Sequence, residues 1–251
     1  MEQLRKPLQG VGNIIRFNRH FYLLAIVAVI MIFLGSHYIA QPYALLKEIV
    51  IGVIVITTSI SLLVSYYIYD FSGLYQLNWL NQLSITNGTI LNIHAGFDET
   101  SSLLRQKFPN AELTVFDFYD PVKHTEISIK RARKAYPVFE NTIVVNTHKL
   151  PLPDSYADYI FVIFSAHEIR HLNERDIFFA ELKRVLKNKG NIVITEHLRD
   201  LPNMLAYNIG FFHFMSGALW RNTFKKSGLV VCEEFNFTPF ITTFILAKYE
   251  N

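Results

Sequence analysis

Two long runs without an ionised side chain constrain this chain more than any other feature. Phe21 to Ala40 and Ile49 to Tyr69 cover twenty and twenty-one residues without Asp, Glu, Lys or Arg. At about 1.5 Å of rise per residue, a helix of that length spans about 30 Å, the hydrocarbon thickness of a bilayer. Only the eight residues Gln41 to Glu48, broken by Pro42, separate the runs. Two helices joined so tightly run antiparallel, as a transmembrane hairpin. The arm before them carries Arg5, Lys6, Arg16 and Arg19 against Glu2 alone, while the loop holds only Lys47 and Glu48. That bias places the N-terminus, and with it everything from Asp70 onward, in the cytoplasm. A cleaved signal peptide fits less well, because the basic arm is extended and a second apolar run follows. Two buried core helices also fit less well, given the length and lack of charge. The expected organisation is a basic arm (1–20), spans at 21–40 and 49–69, a connector (70–88) and a cytoplasmic domain (89–251). The whole is read as an integral protein of a bacterial inner membrane.

Charge divides along the same line. The chain has 24 Lys+Arg and 21 Asp+Glu, and residues 70–251 hold nineteen of each. The net charge of +3 therefore belongs to the membrane part, where topology and anionic lipid account for it. No basic patch remains to indicate nucleic acid as a partner. Hydrophobic residues make up 51% of the chain and charged residues 18%, which excludes a disordered protein. The single cysteine, Cys232, excludes an intrachain disulfide and a thiolate zinc site.

Beyond the connector, short apolar runs alternate with helical stretches. The strands expected are Thr89–Ile93, Leu113–Phe118, Thr142–Asn146, Tyr159–Phe164 and Asn191–Thr195. A closing pair follows at Leu229–Phe237 and Phe240–Tyr249. Helices are expected at Glu99–Phe108, Val122–Tyr136 and Glu174–Lys187, with Asp120 or Thr125 capping the second and Gly190 stopping the third. Such alternation gives a parallel sheet with helices on both faces, extended by an antiparallel hairpin. Ligands of such sheets bind beyond the carboxyl ends of the strands. In the connector, Tyr75 and Trp79 suit either the membrane interface or a first segment packed on the sheet.

Three stretches carry a family resemblance. The first strand and turn read Ile90-Leu91-Asn92-Ile93-His94-Ala95-Gly96-Phe97-Asp98, with Asp117 twenty-one residues after Gly96. A glycine turn lets a nucleotide-like ligand approach the backbone, and an acid about twenty positions on can take ribose hydroxyls. Leu150-Pro151-Leu152-Pro153-Asp154 precedes the fourth strand, and Arg184-Val185-Leu186-Lys187-Asn188-Lys189-Gly190 precedes the fifth. In order and spacing this series resembles the class I, Rossmann-like S-adenosylmethionine (SAM)-dependent methyltransferases over about residues 89–250. Glu196 to Asn203 looks like a membrane-attached branch of them. The resemblance implies a seven-stranded, mostly parallel α/β sheet and SAM as cofactor. It also implies that His94, Gly96 and Asp98 lie at the methionine end, Asp117 on the ribose, and Phe118, Thr147 and His148 around the adenine. Ser165 and the two residues at 167 and 168 would lie near the methyl transfer. The glycine motif departs from the family's pattern: Asn92, His94 and Asp98 stand where an acid and two glycines are usual.

Histidines and glutamates cluster at strand ends: His94 after strand one, His167 and Glu168 after strand four, Glu196 and His197 after strand five. In the family's strand order these are neighbours, and all five side chains can rim one pocket. They suit a general base, a divalent metal site or a hydrogen-bonded structural cluster, and no metal ligands are assigned from sequence. The catalytic expectation is His167 as base, oriented by Glu168 or Glu196. Leu201 to Trp220 is uncharged but rich in Asn and Gly with one Pro. It is read as an aromatic lid dipping toward the interface, or as core helices, and not as a third span. The function expected is methyl transfer from SAM to a hydrophobic, lipid-like acceptor, at oxygen. The rival is a non-catalytic, membrane-tethered binding module. A dinucleotide oxidoreductase fits the LPLPD and RVLKNKG turns less well.

Overall fold

The computed structural model describes residues 5–35 and 43–249. Residues 36–40 of the first apolar run, Pro42 and its neighbour at 41 lie outside that set. Helices α1 (Gln9–Phe17), α2 (Arg19–Leu34) and α3 (Ala44–Tyr66) open the chain. No side chain of α2 is buried, and α3 exposes Leu45, Leu46, Ile49, Val53, Ile56 and Leu63. The α3 segment is long and apolar enough to cross a membrane, with a mean hydropathy of 2.3 and almost no burial. Helices α1 and α2 qualify only as one bent unit, with 72° between them.

Asp70, in the π-helical turn Tyr67–Phe71 that ends α3, ties the start of α1 to that turn. Its carboxylate accepts from Gly10 N (2.8 Å) and Val11 N (2.7 Å). It thus caps the free amides and dipole at the start of α1. Position 10 has to be glycine, since a Cβ there would sit 2.4 Å from Tyr69 Cβ.

The sheet orders its strands β3-β2-β1-β4-β5-β7-β6. They are β1 Gly88–His94, β2 Ala111–Asp117, β3 Ile143–Val144, β4 Ala157–Ile163, β5 Leu186–Glu196, β6 Leu229–Thr238 and β7 Ile241–Lys248. Pairings are parallel from β3 through β5 and antiparallel through β7 and β6. Successive residues of a strand face opposite sides, and β4 shows it. Ile160 and Val162 enter one core with Phe178, Phe179, Trp220 and Phe224. Phe161 and Ile163 enter the other with Leu74, Trp79, Leu80 and Leu104. Helices α6 (Leu172–Val185) and α8 (Gly217–Lys226) therefore cover one face, and α4 (Ser101–Lys107) with the connector covers the other. Of the two readings of the connector, packing on the sheet is the one seen. Trp79 is buried, donates Nε1–H to Leu74 O at 3.0 Å and meets the Phe237 ring at 6.2 Å.

Three local expectations are corrected. Helix α5 runs only from Ile127 to Ala135. Asp120 accepts Val122 N on its side chain and His124 N on its carbonyl, and this closed turn delays the helix. Helix α6 ends at Val185, and β5 begins at the next residue. Gly190 lies inside that strand, where a Cβ would be 2.7 Å from Asp158 O, so it serves close strand approach rather than helix termination. The third strand is two residues long. Leu201–Trp220 splits into α7 (Leu201–Tyr207), a 3₁₀ turn (Asn208–His213) and the start of α8, and Trp220 is fully buried.

Candidate active site

The carboxyl ends of β1, β2, β4 and β5 share one edge of the sheet. At β1, buried Asn92 uses its amide on Thr100 Oγ1 (2.9 Å) and Ser101 Oγ (2.8 Å). It pins the start of α4. Asp98 Oδ1 accepts from Thr100 N and Ser101 N, both at 2.9 Å. This is the side-chain-stabilised turn that aspartate favours. Its other oxygen, Oδ2, is buried and has no hydrogen-bond partner.

His94 folds back along its own turn. Nδ1 accepts from Gly96 N at 3.1 Å, so the neutral ring carries its proton on Nε2. That Nε2 is also buried without a partner, 3.9 Å from Asp98 Oδ2. Burial lowers the His94 pKa, outweighing Asp98 and Asp117. Gly96 adopts φ +90°, and a Cβ there would lie 2.7 Å from Arg133 Nη1. Asp117 accepts Tyr119 N at 2.9 Å on Oδ1 and Arg133 Nη1 at 2.5 Å on Oδ2. His94, Gly96, Asp98, Asp117, Arg133 and Tyr136 line a cleft of about 330 Å³.

A second cleft of about 510 Å³ lies past the end of β2, lined by Phe118, Tyr119, His124, Asn146, Thr147 and Glu174. Thr147 donates to Glu174 Oε1 at 2.5 Å. His148, expected here, is exposed and does not line it. Ser165 is buried and donates to Ile93 O at 2.9 Å, tying the end of β4 to that of β1.

Beyond β4 the backbone turns in a 3₁₀ step over Ala166–Glu168. That step lets the adjacent His167 and Glu168 reach one pocket, which strand geometry would forbid. His167 Nδ1 lies 2.6 Å from Glu196 Oε2, and its Nε2 lies 3.4 Å from Glu168 Oε1. Burial disfavours the imidazolium, but the two carboxylates outweigh it and raise the His167 pKa to about 10. Glu168 is held at about 2, as its pairing with His167 overcomes burial. His167 thus stands between the two carboxylates expected to orient it.

The five side chains expected around one pocket fall into three groups. His94 stays with Asp98 and Asp117, and His167 with Glu168 and Glu196. His197, next to Glu196 on the strand, points to the other face. It sits between the Phe164 and Phe214 rings, at 5.3 and 5.0 Å. Its Nδ1 lies 2.9 Å from Phe240 O and therefore donates, while Nε2 accepts from Tyr69 OH at 2.7 Å. Burial lowers its pKa to about 4. Tyr69, at the end of α3, thus links the apolar helix to the strand ends.

Sequence reasoning missed Arg133, Tyr136, Glu174, Tyr69 and His213, while Glu126, at the start of the second helix, was open to a role in the pocket. The only signal for Arg133 was its place on a basic helix face, which does not say whom it meets. His213 comes from the 201–220 segment, which Arg170 and Arg199 fasten down through the carbonyls of His213 (2.6 Å), Phe212 and Phe214 (both 2.8 Å).

The profile of a family described as a methyltransferase domain matches residues 91–194. A demethylmenaquinone methyltransferase of Thermotoga maritima is 33% identical over 132 residues, 53% of this chain and 52% of that protein. A ubiquinone/menaquinone biosynthesis C-methyltransferase UbiE of Paraburkholderia phymatum is 34% identical over 76 residues, 30% of each chain. The chain spans about half the length, or less, of the curated relatives it matches. Among solved structures, a SAM dependent methyltransferase from Aquifex aeolicus aligns with a TM-score of 0.52 at 18% identity, covering 76% of this chain and 97% of that one. That likeness shows the fold.

Proposed function

We propose that this protein, whose residues 91–194 match the profile of a methyltransferase domain, uses SAM to methylate a hydrophobic small molecule drawn from the bilayer to which α2 and α3 anchor it. The observation that carries the proposal is the pair of unpartnered atoms in the β1 cleft, His94 Nε2 and Asp98 Oδ2. An unpaired buried donor beside an unpaired buried acceptor costs about 1–3 kcal/mol each. A ligand offering a carboxylate to one and an ammonium to the other relieves both. The amino-acid end of SAM is such a ligand, so the residues fit the cofactor although the usual glycines are replaced. This favours catalysis over the non-catalytic binding module.

When bound, the cofactor supplies an electrophilic methyl group on a sulfonium. His94 and Asp98 hold its amino-acid end. Asp117 holds the ribose, a role that requires Arg133 to give up the carboxylate. Phe118, Asn146 and Thr147 wall the adenine. His167, Glu168 and Glu196 face the polar head of the acceptor and orient it, the alignment on which a displacement depends most. The relatives named for demethylmenaquinone and for C-methylation favour a hydroxylated ring whose carbon, rather than oxygen, receives the methyl. The exposed apolar faces of α2 and α3 support the anchor, and the basic arm supports a cytoplasmic domain.

The test is to incubate full-length protein in nanodiscs of bacterial lipid extract with SAM labelled on the methyl group. Label should enter an organic-soluble small molecule, and membranes of cells lacking the protein should accumulate a species lighter by about 14 mass units, one CH₂. Label confined to protein or to the aqueous phase would reject the proposal.

A further inference from the structure

Two histidines at the strand ends are each gripped at Nδ1 by a carboxylate. His167 Nδ1 meets Glu196 Oε2 at 2.6 Å, and His213 Nδ1 meets Glu126 Oε1 at 2.9 Å. Each carboxylate can accept the Nδ1 proton, and a cation binding at Nε2 takes the place of the proton there. Both Nε2 atoms turn to the same oxygen, Glu168 Oε1, at 3.4 Å from His167 and 3.9 Å from His213. Ligand atoms of the three residues all lie within 4.8 Å of one another.

We propose that His167, Glu168 and His213 form a binding site for one divalent transition-metal ion, with Glu196 and Glu126 as the carboxylates that orient its histidines. Bond lengths of about 2.0–2.1 Å at tetrahedral angles put neighbouring ligand atoms about 3.4 Å apart. One of the two separations already has that value, and the other exceeds it by about half an ångström. A His–His–carboxylate set suits zinc, manganese or iron. A carboxylate on the far nitrogen of each ligating histidine is the usual supporting arrangement of a metal site. The three residues are half-buried, so the ion keeps an open position.

Arg170 approaches His213 from outside, with Nη2 2.5 Å from Nδ1 and 2.7 Å from Nε2. Its side chain is 39% exposed, and it swings away as the ion enters. The ion fastens the 208–213 turn, through His213, to the end of β4. Its use as a holder of the acceptor's oxygen rests on the methyltransferase reading, but its binding does not.

The test uses tag-free, full-length protein in detergent, titrated with Zn²⁺ alone by calorimetry and with Co²⁺ by absorption spectroscopy. One ion per chain should bind. His213→Ala and Glu168→Gln should each lower the affinity at least ~10-fold, and Glu126→Gln, at an exposed position, by ~10-fold to ~100-fold. Glu112→Gln, on the exposed surface of β2, should change nothing. Circular dichroism confirms that each variant is folded. Absence of binding to the wild type, or binding unchanged in both His213→Ala and Glu168→Gln, would overturn the site. A protein that binds zinc but transfers no methyl would keep the metal site and reject the methyltransferase reading.

Discussion

The two polar clusters at the carboxyl edge of the sheet use the same residue types and end in opposite states. Around His167, every charge has a partner inside the protein: Glu196 on one nitrogen, Glu168 near the other, and Glu126 with Arg170 on the neighbouring His213. Around His94, two buried polar atoms have none. Burial lowers the His94 pKa, whereas carboxylates raise that of His167. A satisfied cluster adds rigidity and holds its groups in place for a ligand. An unsatisfied one in a native fold points to a ligand. On the proposed function, the difference suits the acceptor side to pre-organisation and the β1 turn to recognition of the cofactor.

The strongest attempt to break this contrast is Glu196→Gln. Removing one partner of a buried ion pair leaves the other charge uncompensated, at a cost of about 3–5 kcal/mol. Denaturant unfolding should show that loss, and unchanged stability would mean that the acceptor cluster is not self-supporting. Next comes acid. His197 has a folded pKa of about 4 against an ordinary value of 6.5, so the unfolded chain binds its proton first. Stability should fall as pH drops from about 6.5 to about 4, by roughly 3 kcal/mol at most. His197→Gln should flatten that limb. His167 has the opposite sign: its contribution is intact below pH 6.5 and is lost as pH rises through about 10.

On the cofactor side the effects should appear in binding rather than in stability. Asp98→Asn keeps the oxygen that caps Thr100 and Ser101 but removes the charge. It should weaken SAM about tenfold, ~1.4 kcal/mol, while changing unfolding by less than ~0.5 kcal/mol. A large stability loss would instead make Asp98 structural. The smallest effect expected is that of Arg133→Ala. It frees Asp117 and should tighten SAM by roughly threefold, ~0.7 kcal/mol. Weaker binding would place Arg133 among the groups that hold the cofactor.

Much of the fold was legible in the sequence because it rests on local pattern. Apolar runs mark five strands and the closing hairpin, and Leu150–Asp154 and Arg184–Gly190 fix their order. The start of α5 was not legible, since its delay depends on how the Asp120 and His124 side chains close a turn. Nor was the role of Gly190, which answers to a neighbouring strand. At the site, the sequence put the right histidines at strand ends but could not say which way each turns. His197 leaves the pocket because it follows Glu196 on a strand, and Glu168 joins His167 because a 3₁₀ turn intervenes. Tyr69 enters from a segment that read as a membrane span, and His213 from one that read as a lid or as core helices, without a side chain singled out in either.

The claim on which the rest turns is that this altered β1 turn still accepts SAM. Calorimetric titration of the full-length protein in detergent with SAM tests it without any acceptor. The account predicts one site per chain with a dissociation constant of about 10 µM, and no heat on titration with NADH. No saturable heat with SAM up to ~1 mM would contradict it.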